Sequence, residues 1–283
     1  MLPRSSQIGR RAPPEGAGVV RASTGLIRST PPPGNPPAPS TLEELAVLAG
    51  AAHLYPFKEG DEASDQVGGD DLTLEGGAAF IASPIPGCQG ALDLAPSTSR
   101  RATWTQSGDW GRDAGQARTW EIVFRFNGGA PGVSKCLMML GVAYNTANMA
   151  FQITSEYGGH GSSTKLRVQD PAWVDLYDGD ADLLLAGIDY DDAGLDGQVI
   201  YLAITWDGAG VMRVHRRKTG DVAEISSGDV SVSARAASSG AAFLGGNQSN
   251  ILTMAFLEIH HLAVYPSILS ESARAERHTM LGL

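Results

Sequence analysis

The chain has 283 residues, of which 42% are hydrophobic and 18% charged, and its formal net charge is −10. This apolar content is enough for a large core, so the composition excludes a chain that is disordered throughout. The negative charge argues against a nucleic-acid-binding protein, because phosphate contacts need a basic surface. No stretch approaches 18 consecutive apolar residues, so the sequence predicts no membrane insertion.

Residues 1–40 differ in composition from the rest of the chain. They hold nine of the 16 prolines and five arginines against one acidic residue, Glu15. Because proline fixes φ and removes a backbone donor, this segment is predicted to be an extended arm that joins no sheet. No apolar run follows its first basic residues, so no secretory signal is predicted. We interpret the arginines as an assembly anchor: Arg4, Arg10, Arg11, Arg21 and Arg28.

A short connecting helix is predicted over residues 41–52. Ser40 can cap it, and Glu43 follows at the spacing of a capping box. Apolar residues at helical spacing then line one face, which we expect to pack on the following domain: Leu42, Leu45, Ala46, Ala49 and Ala52.

From His53 onward the pattern is typical of β-strands. Apolar residues alternate over Trp120–Phe126 and again over Val199–Trp206, which Asp207-Gly208-Ala209-Gly210 connects to a hairpin partner. The other predicted strands are Leu137–Val142, Met149–Thr154, Lys165–Gln169, Val211–Arg216, Ala241–Gly245 and Met254–Tyr265. In the last of these, one face is predicted to carry Leu257, Ile259, Ala263 and Tyr265. A closing helix is predicted over Glu271–Leu281, with Ser270 as its N-cap.

Many strands with Gly- and Asp-rich turns and little helix predict an all-β fold, an antiparallel β-sandwich over residues 53–283. Several segments, in order, resemble laminin-G-like domains of the concanavalin A-like lectin and glucanase superfamily. They are Leu54–Gly60, Ala63–Leu74 with an Asp-x-x-Gly turn, Thr119–Phe126, Tyr201–Gly208, and Phe256–Tyr265 followed by Leu269-Ser270-Glu271. The resemblance implies a jelly roll with a ligand or partner surface on a concave face or at the loop rim.

Some members of this superfamily are glycoside hydrolases, which need two carboxylates about 5.5 Å apart for retention. On a strand this predicts an acid-x-acid arrangement, and none accompanies Glu121 or Glu258. Gly-x-Ser-x-Gly and His-Glu-x-x-His motifs are also absent. The sequence therefore predicts no catalytic residues and no enzymatic activity.

The acidic residues Asp178, Asp180 and Asp182 alternate in the long segment 170–196 and resemble half of a calcium loop. Leu183 stands where an EF-hand needs Gly, which argues against that motif. Two interpretations stay open. One is a looser calcium site, which the resemblance also implies, with calcium as the candidate cofactor; the other is a solvated acidic loop.

Aromatic residues in the same segment are candidate sugar ligands: Trp173, Tyr177 and Tyr190. Their rings could stack on a glycan beside the acids, or they could pack the loop onto the sheet. Trp104 and Trp110 are open in the same way, whereas Trp120 and Trp206 are predicted core residues.

His260 and His261 are adjacent on a predicted strand, so they point to opposite faces and cannot chelate one metal together. We expect one to be half-buried and the other solvated. Cys88 and Cys136 could form one disulfide at most, and two free thiols are the favoured interpretation.

Together these features predict a non-enzymatic structural or accessory protein of a virus particle, a bacteriophage virion, in capsid decoration or in a tail or fibre. Its partners would be other virion proteins, copies of itself and a host surface glycan. The prediction depends on the arm, the missing signal peptide and the non-catalytic sandwich. The alternatives are an exported bacterial carbohydrate-binding module and, less favoured, a glycoside hydrolase.

Overall fold

The computed structural model describes residues 37–58, 60, 63–94, 100–126, 135–140, 151–156, 165–169, 197–234, 241–246 and 257–283. All structural statements below concern these residues, which fall almost entirely in the compact unit Pro39–Leu283. Most of the predicted arm lies outside them.

The described strands form two antiparallel sheets, as the sequence predicts. The strands are β1 His53–Tyr55, β2 Thr73–Glu75, β3 Ala79–Ile81, β4 Ala91–Asp93, β5 Arg101–Thr105, β6 Arg118–Phe126, β7 Lys135–Leu140, β8 Phe151–Glu156, β9 Lys165–Gln169, β10 Val199–Trp206, β11 Val211–Lys218, β12 Ile225–Ser226, β13 Val230–Ser231, β14 Ala241–Leu244 and β15 Leu257–Tyr265. The first sheet has the order β12-β11-β10-β6-β15-β4-β3, with β1 paired to β15 and β13 to β11. The second has the order β2-β5-β14-β7-β8-β9.

The main core lies between the inner faces of the two sheets. In β6 it takes Trp120, Ile122 and Phe124, and in β10 it takes the four residues Ile200, Leu202, Ile204 and Trp206. These are the faces that the alternation predicts, because side chains two apart on a strand share a side. The prediction that Trp120 and Trp206 belong to the core is confirmed.

Helix α1 is shorter than predicted and begins one residue later. It spans Leu42–Leu48, and its N-cap is Thr41 rather than Ser40. Thr41 has the extended backbone of an N-cap, its hydroxyl accepts the Glu44 N–H, and the Glu44 carboxylate accepts the Thr41 N–H in return. The capping box therefore uses Glu44, since Glu43 stands one position too early to reach back to Thr41.

Helix α2 spans Glu271–Leu281 with Ser270 as its N-cap, as predicted. Apolar side chains of α1 and of the end of α2 pack on the outer face of the first sheet. Both faces of β6 and β10 are consequently buried. Among the described helices, none is long and apolar enough to span a membrane.

A buried charge pair connects α2 to this outer face. Arg277 Nε lies 2.6 Å from Glu121 Oε1, and both side chains are almost fully buried. The Tyr265 hydroxyl donates to the same carboxylate, and His261 Nε2 lies 3.5 Å from it. Burial acts to raise the pKa of Glu121, but Arg277 and His261 outweigh it and lower this pKa to about 2.

The expectation of one half-buried and one solvated histidine is wrong, because His260 and His261 are both buried. His261 contacts Glu121 beneath α2, and His260 is bonded to Ser83 Oγ at 2.8 Å and lies 3.3 Å from Glu258. The sequence gives no sign that a helix covers the outer face at this point.

A β-bulge between Ile259 and His261 also corrects the predicted face of β15. Leu257 and Ile259 lie in the main core, but after the bulge Ala263 and Tyr265 face the helices instead. One extra residue reverses the alternation of all that follow it.

Replacing Phe124 with Ala is expected to lower the free energy of unfolding by about 3–5 kcal/mol, because a fully buried ring leaves a cavity in the main core. Urea titration of both proteins measures this loss. Val222, which is fully exposed, supplies the control: Val222→Ala is expected to stay within about 0.5 kcal/mol. A loss below about 1 kcal/mol for Phe124→Ala would contradict the assigned face of β6.

Stability is expected to fall as the pH is lowered from 7 to 2. Four carboxylates have a pKa of about 2, because hydrogen bonds from a histidine, with arginine or backbone N–H groups, outweigh burial: Asp65, Glu121, Glu224 and Glu258. The unfolded chain takes up these protons at higher pH than the folded chain, so their stabilisation is lost below about pH 5. Burial also lowers the pKa of His278 to about 4. Because an unfolded histidine takes up its proton near pH 6.5, the loss of stability from this group begins at that pH.

Urea titrations at pH 7, 5 and 3 measure this dependence. Glu258→Gln should make it shallower, because one shifted carboxylate is removed, whereas Glu271→Gln on the exposed start of α2 should leave it unchanged. Equal stability at pH 7 and pH 3 would contradict the assignment.

Candidate functional site

The turn after β1 is organised by the Asp65 carboxylate. It accepts backbone N–H groups at 2.9–3.2 Å from four residues: Leu54, Val67, Gly68 and Asp70. It also lies 2.6 Å from Nδ1 of His53 in β1. Burial acts to raise the pKa of Asp65, but the bonds from His53 and the backbone outweigh it and lower the pKa to about 2. The Asp-x-x-Gly motif therefore encodes a buried, ionised carboxylate.

Gly68 completes the motif because its backbone passes close to the His53 ring. A Cβ atom at Gly68 would stand 2.2 Å from His53 Nδ1, so no other residue fits without movement. Since ionised Asp65 only accepts, the proton between them belongs to His53 Nδ1. In the neutral imidazole the other ring nitrogen, Nε2, is then the acceptor.

That nitrogen faces Ser107, which follows β5. Ser107 Oγ lies 3.1 Å from His53 Nε2. The Ser107 N–H and the Trp110 indole N–H both donate to Asp70 Oδ2, each at 2.8 Å. The Trp110 ring stacks on His53 with centroids 4.8 Å apart. Asp70 and Trp110 thus fix Ser107 against the imidazole.

A polar cleft of about 450 Å³ adjoins Ser107 at the β2 side of the second sheet. It is lined by Gly69, Asp70, Asp71, Thr73, Thr103, Trp104, Thr105, Gln106, Ser107 and Ala241. Among the described residues that line it, none is Lys or Arg. Carboxylates accept hydrogen bonds and hydroxyls both donate and accept, so this surface suits an uncharged ligand that carries many hydroxyl groups.

Two buried donors beside the cleft have no hydrogen-bond partner in the described part of the chain. They are Trp104 Nε1 and Gln106 Nε2, on side chains only 3% and 6% exposed. A buried polar group without a partner costs about 1–3 kcal/mol.

The tryptophans that the sequence left open are packing residues. Trp104 and Trp110 belong to the main core, with ring centroids 4.9 Å apart. Cys88 is a free thiol, and burial raises its pKa to about 12, which makes it a poor nucleophile. The side chain of Cys136 lies outside the described residues.

The predicted site residues also lie outside the described residues. This holds for the candidate calcium ligands Asp178, Asp180 and Asp182, for the candidate sugar ligands Trp173, Tyr177 and Tyr190, and for the arginines of the arm. These assignments remain predictions. Within the described ranges, no group of three or more His, Cys, Asp or Glu side chains could hold a metal ion.

Sequence reasoning did not identify His53, Asp65, Asp70 and Ser107 as site residues. No local sequence pattern marks them as a site, and His53 and Ser107 are 54 positions apart in the chain. The one available signal was the Asp-x-x-Gly turn, which the resemblance to laminin-G-like domains includes but which indicates a turn rather than a site.

Comparison with known proteins found no matching family model and no matching curated protein. Solved structures do match. The ligand-binding domain of botulinum neurotoxin serotype D, in complex with N-acetylneuraminic acid, is similar with a TM-score of 0.54 and 9% identity over 83% of this chain and 52% of that chain. The binding domain of paraclostridial mosquitocidal protein 1 gives 0.52 and 13% over 80% and 51%.

Domain 4 of a GH43 extracellular arabinanase from Geobacillus stearothermophilus, in complex with arabinotriose, gives a TM-score of 0.50 and 18% identity over 80% of this chain and 97% of that chain. The chain spans about half the length of the two toxin domains and nearly all of the arabinanase domain. At these identities the likeness shows the β-sandwich fold alone.

Proposed function

We propose that this protein binds glycans and that the cleft beside Asp71 and Ser107 is the binding surface. The observation that carries the proposal is the lining of that cleft. Two carboxylates and the hydroxyls of Thr73, Thr103 and Thr105 meet there, and no described cation lines it. Sugar hydroxyls pair well with such acceptors and donors.

The solved structures support a β-sandwich as a scaffold for sugar binding, since two of them hold sugars. N-acetylneuraminic acid carries a carboxylate, whereas arabinotriose is neutral. Asp70 and Asp71 would repel a carboxylate. Charge therefore favours neutral oligosaccharides as ligands of this chain.

Asp71→Asn is expected to weaken binding of a neutral oligosaccharide about tenfold, the equivalent of one charge-assisted hydrogen bond. The exchange keeps the Oδ1 acceptor that holds the Asp65 N–H at 2.9 Å, so the turn should survive. A neutral-glycan array selects the ligand, and calorimetry compares the variants. Asp229→Asn, on an exposed carboxylate that does not line the cleft, is the matched control. Equal affinities for both variants would place the binding surface elsewhere.

We further propose that the protein is a virion component, attached to the particle through residues 1–40 and presenting the sandwich to a host glycan. Support comes from composition, because the arm has a side-chain balance of +4 whereas residues 41–283 carry −14. A basic, proline-rich arm can lie along neighbouring subunits and add avidity. An exported carbohydrate-binding module accounts equally well for the cleft.

A chain starting at Ser40 is expected to keep the melting temperature of the full chain but to lose attachment to its parent particle. The capping box and both sheets begin after this point, and the arm has too few apolar residues to offset its own ordering. Co-sedimentation with particles that lack the protein measures attachment. A full-length variant with the five arm arginines changed to Gln keeps the length of the arm but removes its positive charge. Its sedimentation shows whether attachment depends on that charge. Equal sedimentation of the truncated and full-length chains would refute anchoring.

A further inference from the structure

Three side chains beside the cleft form a continuous hydrogen-bonded series. Asp65 Oδ2 lies 2.6 Å from His53 Nδ1, and His53 Nε2 lies 3.1 Å from Ser107 Oγ. Asp65 and His53 are buried, whereas Ser107 is half-buried and lines the cleft. The order from the interior to the cleft is carboxylate, imidazole, hydroxyl.

We propose that Ser107 is an acyl-accepting nucleophile, that His53 is its general base, and that Asp65 orients His53, so that the cleft hydrolyses carboxylic esters. A serine hydroxyl is a weak nucleophile unless an adjacent base takes its proton, and such a base needs a third group to fix its tautomer. Each part of this arrangement is present with hydrogen-bond distances.

The geometry also holds the base in one orientation. Trp110 stacks on the imidazole, Asp65 is bonded to its Nδ1, and the Gly68 backbone passes close to the same nitrogen, which together hold the ring toward Ser107. Asp70 Oδ2 lies 3.8 Å from His53 Nδ1 and adds a second negative charge near the imidazolium that forms during reaction. Asp65 and Asp70 are positioning residues in this scheme.

The reaction balances without any further reactant than the ester and water. Ser107 Oγ bonds to the carbonyl carbon while its proton passes to His53 Nε2. The ester C–O bond then breaks, and the leaving alcohol takes that proton. Water attacks the acyl–serine, gives a proton to His53, and releases the carboxylic acid as the proton returns to Ser107 Oγ.

The developing oxyanion needs a donor, and we assign this role to the side-chain amide of Gln106, the residue before Ser107. Its Nε2 is buried without a partner in the described part of the chain, and the residue lines the same cleft. Side-chain amides serve in this role, and loss of such a donor lowers turnover about 100- to 1000-fold.

The substrate class is inferred from the lining of the cleft. This part of the inference therefore rests on the proposed function. A surface that binds sugar hydroxyls beside a nucleophilic serine would take O-acyl esters of neutral sugars. The acyl-transfer step itself needs no sugar, so it can be tested separately.

The test uses the full chain with two probes that contain no glycan, a fluorophosphonate and p-nitrophenyl acetate. We expect mass spectrometry to find the phosphonate on the peptide that contains Ser107. Ser107→Ala should abolish labelling and lower ester hydrolysis about 100-fold or more. Ser83→Ala, which removes a hydroxyl bonded to the buried His260 outside the cleft, should do neither.

The roles of the neighbours are tested in the same assay. His53→Gln keeps an amide that can bond Asp65, and it should lower labelling about 100-fold while circular dichroism shows that the variant is still folded at the assay temperature. Gln106→Met should reduce ester turnover about 100-fold. Wild-type labelling in a folded His53→Gln variant, an adduct elsewhere, or hydrolysis that Ser107→Ala leaves intact would overturn the proposal.

The outcomes also separate this inference from glycan binding. Labelling of Ser107 without measurable glycan affinity would refute the proposed function and leave the nucleophile. Glycan binding without labelling of Ser107 would support the proposed function and refute the proposed nucleophile.

Discussion

The Asp65 carboxylate is the interaction on which the site depends. A buried negative charge costs several kcal/mol unless donors replace the water it has lost. Here four backbone N–H groups and His53 do so. Satisfying one charge therefore fixes the turn, the end of β1 and the imidazole together, and the cleft wall at Asp70 and Ser107 is built on them.

Three other carboxylates are stabilised in a similar way. Glu121, Glu224 and Glu258 are each paired with a histidine and an arginine. Buried ion pairs contribute less to net stability than apolar packing of the same volume, but breaking one leaves an uncompensated charge. We interpret them as fixing where α2 docks: Arg277 reaches Glu121, and Arg274 reaches Glu224.

The cleft carries the groups behind two different proposals, one of glycan binding and one of acyl transfer. Its hydroxyls and carboxylates are the groups on which the proposal of sugar binding rests, and the Asp65–His53–Ser107 series is the one on which the proposal of acyl transfer rests. A search for local motifs such as Gly-x-Ser-x-Gly cannot find this series, because its members lie in β1, in the turn after β1 and directly before the 3₁₀ turn Gly108–Trp110. The two proposed functions would share one cleft, and separate measurements test them.

The sequence by itself determined the all-β class, the inner faces of β6 and β10, and the bounds of α2, because two-residue periodicity and helix capping are local properties. Only the tertiary structure decided that helices bury the outer face, which turned two histidines from surface into interior residues. It also decided the bulge that reverses the face of β15. The site arose in the same way: His53, Asp65 and Ser107 meet because β1 and the end of β5 converge, and no periodicity of the chain encodes a contact between segments so far apart.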